Sequence, residues 1–185
     1  MESIIVKDVM VPLAEYATVS EEATLYEAVM ALEQAQQNLK QGQDKHRAVL
    51  VLNKENQVVG KLSQLDIVRA LEPKYDLIGN LRESSRYGFS ADFIRSMTHQ
   101  YDLWRRPLDD ICKKAANLKV VDIMYTPKDG EFVNADDSMN HAIHQLVMGH
   151  HQSLLVTDPD GKIIGILKLT DVFNIICDRM KACRI

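Results

Sequence analysis

A five-residue phrase occurs twice. Val6-Lys-Asp-Val-Met10 returns as Val120-Val-Asp-Ile-Met124, an offset of 114 residues. At that offset Val19 falls on Val133, Thr24 on Ser138, Ala28 on Ala142 and Leu32 on Leu146. A second block, Val58-Val-Gly-Lys-Leu-Ser-Gln-Leu-Asp66, returns as Ile163-Ile-Gly-Ile-Leu-Lys-Leu-Thr-Asp171, at an offset of 105. Repetition constrains the fold strongly, because both copies must fold alike and each is too small to bury its own apolar surface. The offsets differ by nine residues, which assigns an insertion to the first copy; the Gln- and Lys-rich stretch Gln34 to Asp44 is its natural place.

Each copy reads as β-α-β-β-α. A short extended segment ends near Val19 or Val133. A helix follows, opened by the capping box Thr24-x-x-Glu27, whose hydroxyl and carboxylate satisfy free backbone N–H groups. Ser138 opens the second helix equivalently, with His141 in place of the glutamate. Leu25, Ala28, Val29 and Leu32 keep helical spacing and face a core. Apolar strands follow at Ala48 to Leu52 and Leu154 to Thr157. Turns at Asn53 to Asn56 and Asp158 to Gly161 lead into return strands at Gln57 to Leu62 and Lys162 to Leu167, two hairpins. Closing helices run from Gln64 to Leu71 and from Leu169 to Met180. The fold class is therefore α/β (α+β), with two pseudo-symmetric units packed through their sheets. The expected division is repeat one over 1–71, a helical linker over 72–118 and repeat two over 119–185. In the linker, 74–90 reads as loop with short helical turns. Ala91 to Arg106 and Leu108 to Leu118 read as amphipathic helices, with Pro107 comfortable at a first helical position.

The chain has 185 residues, is 46% hydrophobic and carries a net charge of −4, which lacks the basic footprint of a nucleic-acid binder. Three cysteines without a C-x-x-C pair fit a reducing compartment. Met1 to Met10 lacks the apolar core of a leader peptide and no apolar run spans a bilayer, so the expected location is the cytoplasm, away from membranes. There is no G-x-x-x-x-G-K-[ST], G-x-G-x-x-G or G-x-S-x-G. His141 and His144 stand one turn apart but lack the partners a metal site needs. Cys177, beside Ile175 and Ile176, reads as a buried apolar residue.

The repeated V-x-D-[IV]-M, the element order, and the phrase Gly60-Lys-Leu-Ser63-Gln-Leu-Asp66 resemble a tandem pair of CBS domains, the Bateman module, over residues 4–71 and 118–181. In the second copy Gly165-Ile-Leu-Lys168-Leu-Thr170-Asp171 departs by placing Lys168 where a hydroxyl is usual. The resemblance implies up to two ligand clefts at the junction of the repeats, related by an approximate two-fold axis. It implies a non-catalytic regulatory module that binds AMP, ADP, ATP or S-adenosylmethionine, with no required cofactor. It also implies a homodimer packed through outer helices, for which those around Ala28-Val29 and Val172-Ile176 are apolar enough, and a protein partner regulated in trans.

Within that resemblance Asp66 and Asp171 accept hydrogen bonds from ribose hydroxyls. Ser63 and Thr170, at helix starts, hold phosphate or simply cap. His46, Arg47, His150 and His151 precede the first hairpin strands, where Arg47 is the best phosphate donor and Lys168 adds a second charge. Val9, Met10, Val11, Val19, Met124 and Val133 offer apolar walls to adenine or serve as core. The competing readings are a ligand-free dimerisation or interaction module and a site on the linker, where Tyr101, Trp104, Arg105 and Arg106 cluster.

Overall fold

The computed structural model describes residues 4–39, 45–72, 74–77, 88–105 and 107–183. Its regular elements, in chain order, begin with β1 (Val11–Pro12), β2 (Thr18–Ser20), α1 (Leu25–Gln37), β3 (Ala48–Leu52), β4 (Val58–Ser63) and α2 (Gln64–Leu71). The linker holds α3 (Lys74–Leu77), α4 (Ala91–Tyr101) and α5 (Leu108–Asn117). Then come β5 (Phe132–Asn134), α6 (Met139–Gly149), β6 (Ser153–Thr157), β7 (Ile163–Lys168) and α7 (Leu169–Ala182). Both β-α-β-β-α units form. In each, the first strand lies parallel to the second and the last two make a hairpin. Both hairpins shift register at the equivalent step, Val51/Leu52 and Val156/Thr157.

Strand alternation sorts the apolar residues into three cores. On β3, Val49 and Val51 face the helices of the first unit, while Leu50 faces the other way. On β6, Leu154 and Val156 face the second unit's helices and Leu155 turns outward from them. Leu50, Leu155, Ile166 and Tyr16 then form the layer between the two sheets. Each sheet covers the face its partner cannot bury alone, which is why the repeat is a pair.

The two opening phrases cross over. β1 pairs antiparallel with β7, Val11 opposite Ile166, so the first copy's phrase extends the second copy's sheet. Val6 is fully buried in the second core, beside Met139 and Leu167. In return Tyr125 bridges Lys61 on the free edge of β4, and Val120 is fully buried in the first core. Bridges from Ile5 to Ser138 and from Thr24 to Lys119 complete the exchange.

Two local expectations differ from the structure. The first linker helix stops at Tyr101 rather than Arg106, because Asp102 turns left-handed with φ 54°. Pro107 is the N-cap of α5, one position earlier than expected, which still spares it a helical N–H. Ala28, which its spacing sets against a core, is buried there, and so is Val172. On the same two helices Tyr26, Met30, Phe173 and Met180 are exposed large apolar groups. Cys177 is half-buried. Part of the proposed insertion, residues 40–44, and residues 78–87 of the linker lie outside the described residues.

Candidate functional site

The crossover places each opening phrase against the start of the other copy's last helix, and a cleft opens at each junction. The first cleft, of about 330 Å³, has Asp8 to Pro12 on one wall and Lys168, Asp171, Asn174 and Ile175 on the other, with His46 between. The second, of about 320 Å³, sets Asp122 to Tyr125 against Asp66, Arg69 and Ala70. Both volumes lie within the range of small-molecule sites. Part of the lining corresponds between the clefts: Asp8 with Asp122, Met10 with Met124, Asp171 with Asp66. A smaller pocket of about 90 Å³ is lined by both members of three matched pairs, Arg47 and Gln152, Ala48 and Ser153, and Ser63 and Lys168. Those pairs put it on the pseudo-two-fold axis.

Each cleft depends on a missing Cβ. A side chain at Gly60 would strike the sulfur and Cγ of Met124. One at Gly165 would lie 2.6 Å from the Val11 carbonyl oxygen and 3.0 Å from the Met10 sulfur. The repeated glycine thus lets the methionine of the opposite phrase settle against the sheet.

The helix starts differ between copies. Ser63 is the N-cap of α2 and forms a full capping box with Asp66. The Ser63 N–H and Oγ donate to Asp66 Oδ2 at 3.0 and 2.6 Å, and the Asp66 N–H donates to Ser63 Oγ at 3.2 Å. At α7 the N-cap is Lys168, which makes no side-chain cap. Its ammonium instead pairs with Asp171 Oδ1 at 3.3 Å, with the lysine side chain only 8% exposed. The hydroxyl-to-lysine exchange therefore replaces a carboxylate held by a hydroxyl with one held in a shielded ion pair beside the first cleft.

His46 is 1% exposed and stacks on Tyr16, with ring centroids 4.2 Å apart. Its Nδ1 is buried without a hydrogen-bond partner among the described residues. Burial, then the charge of Lys168, holds the imidazole below its ordinary pKa, so it is neutral at physiological pH. Burial likewise pushes the Tyr16 hydroxyl up to about 12, which keeps it protonated. The central pocket is cationic: Lys45, Arg47, Lys61 and Lys168 line it, beside Ser63 and Thr170. Lys61 is tied to Glu131 at 3.1 Å, whereas Lys45 and Arg47 have no ion-pair partner among the described residues.

The expected site residues divide accordingly. Asp171, Lys168, His46, Val9, Met10 and Val11 line the first cleft; Asp66 and Met124 line the second; Arg47, Ser63, Thr170 and again Lys168 line the central pocket. Val19 pairs with Val51 and packs in the first core, and Val133 is buried in the second; neither reaches a cleft, because both sit on strands covered by helices. His151 packs against Gly149, and His150, at the left-handed end of α6, is exposed; neither lines a cleft. Asp8 and Asp122 line the clefts and were not expected. The signal was present, since each is the invariant acid of the repeated phrase.

The fold and its junctional clefts define a two-repeat module in which each copy's opening phrase joins the edge of the other's sheet, by a strand in one case and a single bridge in the other. The chain belongs to the CBS domain family: the model of that family matches residues 6–73 and 120–178. No curated relative matches the sequence. Among solved structures, a CBS domain-containing protein of unknown function from Bacillus anthracis is 18% identical, with a TM-score of 0.62 over 96% of this chain and 95% of that one. CBSX2, a CBS-pair protein of Arabidopsis thaliana, in complex with AMP, is 18% identical, with a TM-score of 0.58 over 96% and 99%. The CBS domain of a bacterial CNNM/CorC family Mg2+ transporter in complex with ATP is 16% identical, with a TM-score of 0.59 over 95% and 89%. The chain spans 60% of the length of another match, protein MJ1004. Among the described residues no helix is long and apolar enough to cross a membrane, and no three metal-binding side chains gather.

Proposed function

We propose that this CBS pair is a regulatory module that binds an adenine nucleotide at the junction of its repeats and performs no catalysis of its own. The observation that carries the reading is the pairing of carboxylate-lined clefts with a cationic pocket between them. Ribose hydroxyls are donors and suit Asp66 or Asp171; phosphate oxygens are acceptors and suit Arg47, Lys168, Ser63 and Thr170. Flat walls such as Met10 or Met124 suit a purine face. The AMP and ATP complexes of the two similar structures support the ligand class. Each cleft takes one wall from each copy, so a bound ligand favours one inter-repeat arrangement, and a partner protein reads that arrangement.

Titration calorimetry of the nucleotide-stripped protein against AMP, ADP, ATP and S-adenosylmethionine tests this. Saturable binding, weakened by Asp171→Ala or Asp66→Ala, is expected. A folded protein giving no heat with any of the four contradicts it.

A second, compatible reading is self-association. Leu65 and Val68 on α2, and Phe173 and Met180 on α7, are exposed apolar groups on a module whose cores are already filled. A second copy is the proposed occupant. Sedimentation is expected to give a dimer that Phe173→Glu weakens; a monomer at high concentration contradicts it.

A further inference from the structure

The two clefts match in position but differ in what they connect to. The first shares Lys168 with the central pocket, and its His46 is followed directly by Arg47, which lines that pocket. The second shares no lining residue with the pocket. Building on the nucleotide reading above, we propose that only the first cleft takes a phosphorylated nucleoside, one per chain, and that Lys168 is the residue that selects for the phosphate.

The path from cleft to pocket changes polarity along its length. At the outer end stand the acceptors Asp8, Glu15 and Asp171. A bare anion is repelled there, but a nucleoside presents hydroxyl and amino donors. At the inner end stand Lys168, Arg47 and Lys45, with the Tyr16 and Thr170 hydroxyls. Lys168 stands at the change, 3.3 Å from Asp171 on one side and open to the pocket on the other. Its charge holds the carboxylate in place while offering donors to a phosphate. The unpartnered, buried Nδ1 of His46 lies at the same junction. A buried polar atom without a partner is costly, so its place beside the cleft points to a group supplied by ligand.

The second cleft keeps the acceptors, Asp66 and Asp122, but has neither the lysine nor the buried histidine among its lining residues. Asp66 is held by the Ser63 hydroxyl and N–H instead of a lysine. The position matching His46 is His151, which packs on Gly149 outside the cleft. Arg69 is the cation of that cleft, and it stands on the same wall as Asp66. The pocket also sits on the pseudo-two-fold axis, so a phosphate entering from one side occupies the place a second would need.

The test compares AMP with adenosine by calorimetry on the full chain, in wild type, Lys168→Ser and Arg47→Gln. Wild type is expected to bind one AMP per chain, and to bind it roughly 10- to 100-fold more tightly than adenosine, the range lost with one charge-assisted hydrogen bond. Both variants are expected to lose most of that preference. Arg47 is exposed, so its variant folds even where the serine at 168 disturbs Asp171. Two equal AMP sites, or an AMP preference intact in both variants, overturns the inference alone. A wild type that binds neither compound overturns the nucleotide reading with it.

Discussion

At the residue scale, single atoms decide whether the junction closes. A Cβ on Gly165 meets a backbone carbonyl, which cannot swing away, whereas one on Gly60 meets only the flexible end of Met124. Gly165→Ala is therefore expected to destabilise by about 1–3 kcal/mol and Gly60→Ala by less, as read from urea midpoints. His46 gives a pH signature. Its folded-state pKa lies below that of the unfolded chain, first through burial and then through Lys168. The neutral form is the one the fold accepts, so this contribution is complete above about pH 6.5 and is lost as pH falls through the folded-state value. Urea midpoints between about pH 7 and pH 5 are expected to fall, with a shallower slope in His46→Phe; an unchanged slope contradicts the assignment. The residues that were legible in sequence were those tied to a phrase: Asp66, Ser63, Asp171, Lys168. Val19 and Val133 stayed open between cleft wall and core because alternation says that a strand residue is buried without saying which face of the sheet buries it.

At the element scale, the two crossover junctions differ in chemistry. On one side Val11 and Ile166 pair apolar against apolar. On the other Tyr125 and Lys61 exchange backbone hydrogen bonds of 2.9 Å, and both side chains reach Glu131. Burial opposes the charge on Glu131, but the Tyr125 hydroxyl, the Lys61 charge and the Lys128 N–H outweigh it and hold its carboxyl below the usual range. Lys61→Met leaves that carboxylate with the tyrosine and the amide. The expected cost is about 1–3 kcal/mol, part of which Glu131→Gln restores in the double variant; full additivity of the two changes contradicts a coupled pair. No sequence pattern marks this network. Its members are 70 residues apart, Lys61 to Glu131, and the repeat does not mark them, since Lys61 stands opposite Ile166 in the matching block and Glu131 lies outside both blocks. The elements themselves were legible, since α2 and β3 keep the bounds that periodicity gives them.

At the scale of the whole molecule, the copies are not separable. The first core is closed by Ala115 and Val120 from beyond the linker, and the second by Val6 from the opposite end of the chain. A chain lacking residues 1–12 loses Val6 and β1 together. It is expected to unfold its second unit and to lose the first cleft, as hydrogen exchange reports; native-like protection in 132–182 contradicts the exchange. The pairing of the units was readable from the repeat, but the crossover was not, because a repeated phrase says nothing about which copy's sheet it joins. The central claim is that an adenine nucleotide binds across that junction through the first cleft. Met10 lines this cleft and Met124 lines its counterpart, so methyl-labelled methionines report the two separately. Titration with AMP, followed by the methionine methyl resonances, is expected to move Met10 saturably and leave Met124 in place. A shift at Met124 alone, or none at either, contradicts the account.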